Sequence, residues 1–208
     1  MVRRVGVLLC GCGAYDGSDV QESVLLLLAL ARRGLRAVVV APDVSQAEVV
    51  DHSTGETDEG AAPRRAFLEA ARVSRGRIEA VSKIAPSQLD ALVIPGGVGV
   101  VRTLCLAGPG PLGGGPPLPE VASLLSALEE RGAPIGVVGL AQVVLSRHRG
   151  EPLDPATLAV GAREVREDRK GLVLFTPGFM ASESIAEAAE GIERLADALA
   201  RKLGVVAG

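Results

Sequence analysis

Short aliphatic runs alternate along this chain with amphipathic stretches, and this alternation is the feature that most limits its fold. It is typical of repeated β-α units, in which buried parallel strands are covered by helices. Strands are predicted at 5–9, 37–41, 91–95, 135–138 and 172–176. Helices are predicted at about 21–33, 61–74, 120–131, 141–147 and 182–202, with Ser182 as the cap of the last one. The pattern therefore predicts an α/β fold with a mostly parallel sheet.

The composition agrees with a single domain of this class. The chain has 208 residues, of which 48% are hydrophobic and only 2% aromatic, and its mean hydropathy is +0.32. A core of aliphatic side chains suits parallel strands that are buried on both faces. The net charge of −3 predicts no binding to nucleic acid or to an anionic membrane. Small molecules or proteins are the expected partners.

The chain shows no sign of a membrane span or of an oxidising compartment. Its longest apolar run, 24–31, is far shorter than the roughly 20 residues that cross a bilayer. The chain has an odd number of cysteines, namely Cys10, Cys12 and Cys105, and none of them is spaced as zinc ligands are. Neither a set of disulfides nor a zinc site is therefore predicted. A reducing compartment, the cytoplasm or the mitochondrial matrix, is favoured. Only about four residues precede the first predicted strand, so no targeting peptide is expected in this form.

Four segments that follow predicted strands should meet at the carboxyl edge of the sheet, where open α/β proteins bind ligands. They are 10–22, 95–101, 139–142 and 177–180. The third is predicted to form the tight turn that joins a strand to a helix. This is the layout of a nucleophile elbow, in which Ser or Cys projects from a strained turn. Gly139 occupies the nucleophile position and has no side chain to project.

Several motifs in and around these segments occur together in one known family. They are Gly11-Cys12-Gly13-Ala14-Tyr15-Asp16-Gly17-Ser18, Asp51-His52-Ser53-Thr54-Gly55, Ile94-Pro95-Gly96-Gly97 and Thr176-Pro177-Gly178-Phe179-Met180. Over nearly its whole length the chain resembles the ElbB-type glyoxalases, or enhancing lycopene biosynthesis proteins, which have mitochondrial homologues in animals. These belong to the PfpI and class I glutamine amidotransferase-like superfamily. The resemblance implies one amidotransferase-like domain over 1–208, folded as a flavodoxin-like three-layer sandwich with helices on both faces, and a homo-oligomer.

The resemblance also implies a chemistry. Through this family, the chain resembles enzymes that convert small α-oxoaldehydes such as glyoxal to hydroxyacids without a metal or organic cofactor. The expected groups are a cysteine thiolate at the elbow, a carboxyl from the first helix, and an oxyanion-binding Pro-Gly-Gly turn. Glu22 matches the carboxyl, and Gly96 with Gly97 match the turn. Gly139 stands where the family has its cysteine, and Gln142 stands where it has a proline.

Two further segments differ from the family pattern. A Gly/Pro-rich stretch at 107–119 is expected to form a surface loop near the mouth of the site, and the segment 147–171 is shorter than in family members. The chain is therefore predicted to be a non-catalytic structural or protein-interaction module. Two alternatives stay open. One is a glyoxalase or deglycase with a relocated thiol, Cys12 or Cys10; the other is a sensor of small aldehydes or carboxylates.

The remaining polar residues have structural interpretations. Surface or capping roles are expected for His52 and His148. Tyr15 and Asp16 are expected in the turn after the first strand, where they either satisfy backbone groups or shape a pocket or subunit contact. Cys105 is a candidate for an oxidisable surface thiol. The glycines at 11–17 lack the spacing of a nucleotide-binding loop, so no nucleotide site is predicted.

Overall fold

The computed structural model describes residues 2–106, 112 and 114–205. All five predicted strands are present, as β1 (Arg4–Leu8), β2 (Arg36–Ala41), β6 (Ala91–Ile94), β7 (Ile135–Val138) and β9 (Val173–Thr176). The described residues add four strands of two residues each: β3 (Val50–Asp51), β4 (Glu56–Thr57), β5 (Glu79–Ala80) and β8 (Arg166–Glu167). β3 and β4 form a separate antiparallel hairpin.

Seven of these strands form one sheet, in the order β5-β2-β1-β6-β7-β9-β8. Every neighbouring pair is parallel except β8 with β9. The five longer strands follow the order of flavodoxin-like folds, in which the chain runs outward from β1 in both directions. The strand order therefore places a topological switch point between β1 and β6, at the edge where the predicted site lies.

Six α-helices cover the sheet in the described part of the chain: α1 (Val20–Arg32), α2 (Ala66–Val73), α3 (Val98–Leu104), α4 (Pro119–Glu130), α5 (Ala141–Arg149) and α6 (Ile185–Lys202). One apolar core joins α1 and α6 to one face of the sheet. The other joins α3, α4 and α5 to the opposite face. Strand neighbours alternate between the cores, so that Val137 belongs to one and Val138 to the other. The flavodoxin-like three-layer sandwich is confirmed.

Two helix predictions need correction, and one helix was not predicted. The helix predicted from 61 begins at Ala66, because Pro63 disfavours helical backbone in the residue before it and Arg65 is extended. The last helix is capped by Ser184, whose hydroxyl accepts the Glu187 N–H at 3.2 Å; Ser182 lies outside this helix. α3 was not predicted at all, because its glycine and β-branched residues have low helix propensity.

Only part of the Gly/Pro-rich stretch 107–119 lies within the described residues. Its last residues return towards the end of α3, where Leu106 donates its N–H to the Pro116 carbonyl and Cys105 forms a bridge with Pro117. α4 then begins at Pro119, a position at which the missing N–H of proline costs nothing. Residues 107–111 and 113 lie outside the described residues.

Candidate functional site at the elbow

The predicted elbow is present between β7 and α5. Gly139 has a φ of +53°, in the left-handed region that favours glycine. Its N–H donates to the Thr176 carbonyl at 2.9 Å, and its carbonyl accepts the Gln142 N–H at 3.4 Å. A proline at 142, the residue that the family resemblance expects there, would have no N–H for the second bond. The strained turn of an elbow is therefore kept although no nucleophile is attached to it.

The space that a side chain would occupy at Gly139 is narrow but not closed. A Cβ there would lie 3.2 Å from the Pro177 carbonyl oxygen and 3.6 Å from Cγ and Sδ of Met180. These groups belong to the turn after β9, which includes the short 3₁₀ helix Gly178–Met180. A small side chain would fit after shifts of a few tenths of an ångström. The surrounding atoms therefore leave space for a Cβ, although the left-handed backbone of Gly139 disfavours any side chain there.

Glu22 lies in the first turn of α1 and is buried, with only 3% of its surface exposed. One carboxylate oxygen, Oε2, accepts the Gly96 N–H at 2.7 Å. The other, Oε1, accepts the Phe179 N–H at 3.0 Å. Burial raises the pKa of Glu22 to about 7 from its ordinary 4.5, and the two backbone N–H groups oppose this rise. The carboxyl therefore joins the turn after β6 to the turn after β9.

One N–H donor of the Pro-Gly-Gly turn, and the N–H of the residue after the turn, are taken by groups of the protein itself. The Gly96 N–H, which the family resemblance assigns to an oxyanion, donates to Glu22. The Val98 N–H, two residues further along the chain, donates to the Ala14 carbonyl at 2.7 Å. Gly97 has a φ of +120°, and a Cβ there would lie 2.3 Å from the Gly17 carbonyl oxygen. The turn is held against the loop after β1, and the Glu22 carboxylate takes one of its donors.

Gly178 and Phe179 are site residues whose roles the sequence did not predict. A Cβ at Gly178 would lie 2.2 Å from Oε1 of Glu22, and its φ is +52°. Glycine at this position therefore makes room for the buried carboxyl, and the following N–H binds it. The only sequence signal was the Thr-Pro-Gly-Phe-Met motif, which marked the segment without indicating which atom contacts Glu22.

None of the three cysteines shows the features of an activated thiol. Cys10 is buried and Cys12 is half-buried. Burial raises the pKa of each, and for Cys12 the nearby Glu69 carboxylate raises the pKa further. Cys105 is also buried, so the expected surface position is wrong, and burial raises its pKa as well. Because the thiolate is the reactive form, raised pKa values mean low nucleophilicity near neutral pH.

Tyr15, Asp16 and His52 come together beside this loop. The Asp16 carboxylate is buried and accepts the Val50 N–H at 3.0 Å through Oδ2. The His52 ring contacts the Val50 carbonyl through Nδ1 at 3.1 Å, and its Nε2 accepts the Tyr15 N–H at 3.3 Å. These contacts attach the β3–β4 hairpin to the loop after β1. The hydrogen bond from the Val50 N–H agrees with the prediction that Asp16 binds backbone groups.

His148 lies in the last turn of α5, at the opposite end of this helix from the elbow, and packs against α4. Its Nε2 lies 3.3 Å from a carboxylate oxygen of Glu129, and its side chain is only 10% exposed. A surface role is therefore wrong, and the ring instead links two helices. Among residues 2–106, 112 and 114–205, no group of His, Cys, Asp and Glu could hold a metal ion. Within the same ranges, no helix is long and apolar enough to cross a membrane.

Comparisons with known proteins identify relatives of the chain. No family model matches the chain. It is 30% identical over 223 residues to the human mitochondrial glutamine amidotransferase-like class 1 domain-containing protein 3, covering 91% of this chain and 79% of that protein. The mitochondrial ES1 protein homolog of Rattus norvegicus is also 30% identical over 223 residues, covering 91% of this chain and 80% of the homolog.

A solved structure shows the same fold. It is an isoprenoid biosynthesis protein with an amidotransferase-like domain from Ehrlichia chaffeensis, with a TM-score of 0.85 and 24% sequence identity. The superposition covers 96% of this chain and 99% of that one. The chain belongs to the family of the mitochondrial ES1 and glutamine amidotransferase-like class 1 domain proteins, the family to which its motifs pointed.

Proposed function

We propose that this protein is a non-catalytic member of its family, a structural and protein-interaction module. The observation that carries the proposal is Gly139, which keeps the strained elbow but supplies no nucleophile. Addition of a thiolate to an aldehyde carbon requires a sulfur atom at that position. Glu22 then has a structural role, because its two oxygens hold the turns after β6 and β9 together.

The interaction role is supported by the exposed face of α1. Val20, Val24 and Leu28 lie one above another on this face and are 41%, 50% and 44% exposed. From Val20 to Ala31 the one charged residue is Glu22, which is buried. A helix that is apolar on nearly every side normally packs against something on every side. A second copy of the chain is the proposed partner, in line with the homo-oligomer that the family resemblance implies.

The cysteine content and the mitochondrial relatives support a proposed location in the cell. The cysteine content favours a reducing compartment, either the cytoplasm or the mitochondrial matrix. The human and rat relatives are mitochondrial proteins by name, which supports the matrix. The proposed unit is one amidotransferase-like domain that works without a metal or organic cofactor.

An activity assay tests the non-catalytic part. Purified protein is incubated with methylglyoxal or glyoxal, and lactate or glycolate is followed over time. We expect no turnover above the rate of the Glu22→Gln variant, whose folding is checked by circular dichroism. Gly139→Cys serves as the matched gain-of-thiol variant, because it restores sulfur at the elbow. Wild-type turnover clearly above that of Glu22→Gln would refute the proposal.

The relocated-thiol alternative is tested with the same assay. If wild-type turnover is present and Cys12→Ser abolishes it while Cys105→Ser does not, the protein is a glyoxalase or deglycase that uses Cys12. The raised pKa of Cys12 argues against this outcome. The sensor alternative predicts a thermal shift with small aldehydes that Glu22→Gln removes.

Light scattering after size exclusion tests the interaction part. We expect a dimer whose dissociation is promoted by Val24→Asp, since a buried unpaired carboxylate in an apolar interface is costly. Glu130→Gln, at an exposed position on α4, is the control and should leave the dimer intact. A wild-type protein that stays monomeric at high concentration would contradict self-association.

A further inference from the structure

An open surface cavity of about 710 Å³ lies between the segment 156–167 and α6. Residues of 156–167 and Arg194 of α6 line it, and no residue of the elbow site is among the described lining. Its volume is within the range of about 300–1,000 Å³ typical of small-molecule sites. It is therefore separate from the site at which the family carries its chemistry.

Ion pairs fix the segment 156–167 to α6 on both sides of the cavity. Arg163 pairs with Glu187 at 3.0 Å and with Glu190 at 2.8 Å. Further along α6, Lys202 pairs with Glu167 at 2.8 Å. The two attachments on α6, Glu190 and Lys202, are about 18 Å apart along the helix at 1.5 Å per residue. The segment thus runs along a stretch of the helix, and the cavity opens to the surface between the two.

Arg194 is the one cationic group of the lining that has no partner in the described part of the chain. It lies one helical turn after Glu190 and therefore on the same side of α6. Arg166, the other arginine of the lining, pairs with Asp154 at 2.8 Å. Of the two lining glutamates, Glu164 accepts the Gly161 N–H at 3.1 Å, and Glu167 pairs with a lysine.

The rest of the lining is apolar, with Ala156, Ala159, Val160 and Val165. The cavity therefore combines an available guanidinium with a surface of methyl groups. A guanidinium binds a carboxylate through two parallel N–H···O bonds. Glu164 and Glu167 at the same cavity repel negative charge, and they repel a ligand with two negative charges more strongly than a ligand with one.

We propose that this cavity binds a small monocarboxylate with a short aliphatic chain. The carboxylate pairs with Arg194, and the chain packs on the alanine and valine side chains. Binding here goes beyond the proposed function, because it requires neither the elbow nor a second copy of the protein. It gives the module a ligand that connects the segment 156–167 to α6.

The test uses ¹⁵N chemical-shift titrations of the full chain with hexanoate, hexylamine and inorganic phosphate as probes. We expect hexanoate to shift amides of 156–167 and of α6 around residue 194. Affinity should rise along acetate, butyrate and hexanoate, by up to about fourfold for each fully buried methylene. Equal binding of hexylamine, tighter binding of inorganic phosphate than of hexanoate, or shifts confined to other regions would overturn the proposal.

Two matched variants of α6 separate the site from general charge effects. Arg194→Gln should weaken hexanoate binding at least about tenfold, since it removes a charge-assisted contact. Arg201→Gln removes the same charge from an exposed position on the same helix that does not line the cavity, and should bind as the wild type does. Glutamine is a good helix former, so both variants should fold, which circular dichroism checks. Equal affinities of the two variants would overturn the assignment.

Discussion

Replacing Glu22 by glutamine should change how the stability of this protein depends on pH. The folded state raises the pKa of Glu22 from its ordinary 4.5 to about 7, chiefly through burial. Between these two values the folded protein holds a proton that the unfolded chain has released. The contribution of Glu22 to the free energy of unfolding therefore falls as the pH rises from 4.5 to 7, and it is constant above that range. Glutamine has no proton to lose, so Glu22→Gln removes this contribution.

The size of the effect follows from the pKa shift. One pKa unit corresponds to about 1.4 kcal/mol, so the change from 4.5 to about 7 amounts to about 3 kcal/mol in the free energy of unfolding. Between pH 4.5 and 7, the free energy of unfolding of the wild type should fall more steeply with pH than that of the variant. At the steepest point the two slopes should differ by about 1.4 kcal/mol per pH unit. The quantity to compare is the difference between the two proteins as a function of pH, because contributions from other titrating groups cancel in it.

Urea denaturation at a series of pH values from 4 to 8, followed by circular dichroism, measures this difference. The free energy of unfolding of Glu22→Gln relative to wild type should rise by about 3 kcal/mol over the series. Glu130→Gln, at an exposed position, is the control and should follow the wild-type curve. Parallel curves for wild type and Glu22→Gln would refute the reasoning, since they would mean that burial does not perturb this carboxyl.

Three further predictions concern the glycines and the thiols. Gly139→Ala should lower the free energy of unfolding by about 1–2 kcal/mol, because its φ of +53° is left-handed. Gly34→Ala, with a φ of +66° and open space around it, measures that strain alone; a far larger loss at Gly139 would show that the elbow cannot hold a side chain. Gly97→Ala should cost more than about 3 kcal/mol or prevent folding, because its Cβ would lie 2.3 Å from a backbone oxygen, and a mild loss would contradict that contact. At pH 7.5, iodoacetamide should label Cys12 more slowly than free glutathione and should not label folded Cys10, whereas faster labelling of Cys12 would indicate an activated thiol.

The inner strands could be predicted because their sequence signal is local. Each is an aliphatic run buried on both faces, and residues 135–142 showed the strand, turn and helix of the elbow directly. The edge strands β5 and β8 have two residues each, too few to form a pattern. α3 was missed for a different reason: Gly99 on this helix lies against the backbone of Asp16 and Gly17, and this packing outweighs its poor helix propensity.

The fold class, the family and the strand-turn-helix segment with Gly139 at its turn could all be read from the order of residues. Glu22 could also be singled out in this way, but the groups that its carboxyl contacts follow from the folded chain. Its partners are backbone N–H groups 74 and 157 residues away along the chain. Every residue except proline carries such a group, so no residue type marks it in the sequence. The fold alone brings these two turns to one buried carboxylate, which accepts the Gly96 N–H that the family resemblance assigns to an oxyanion.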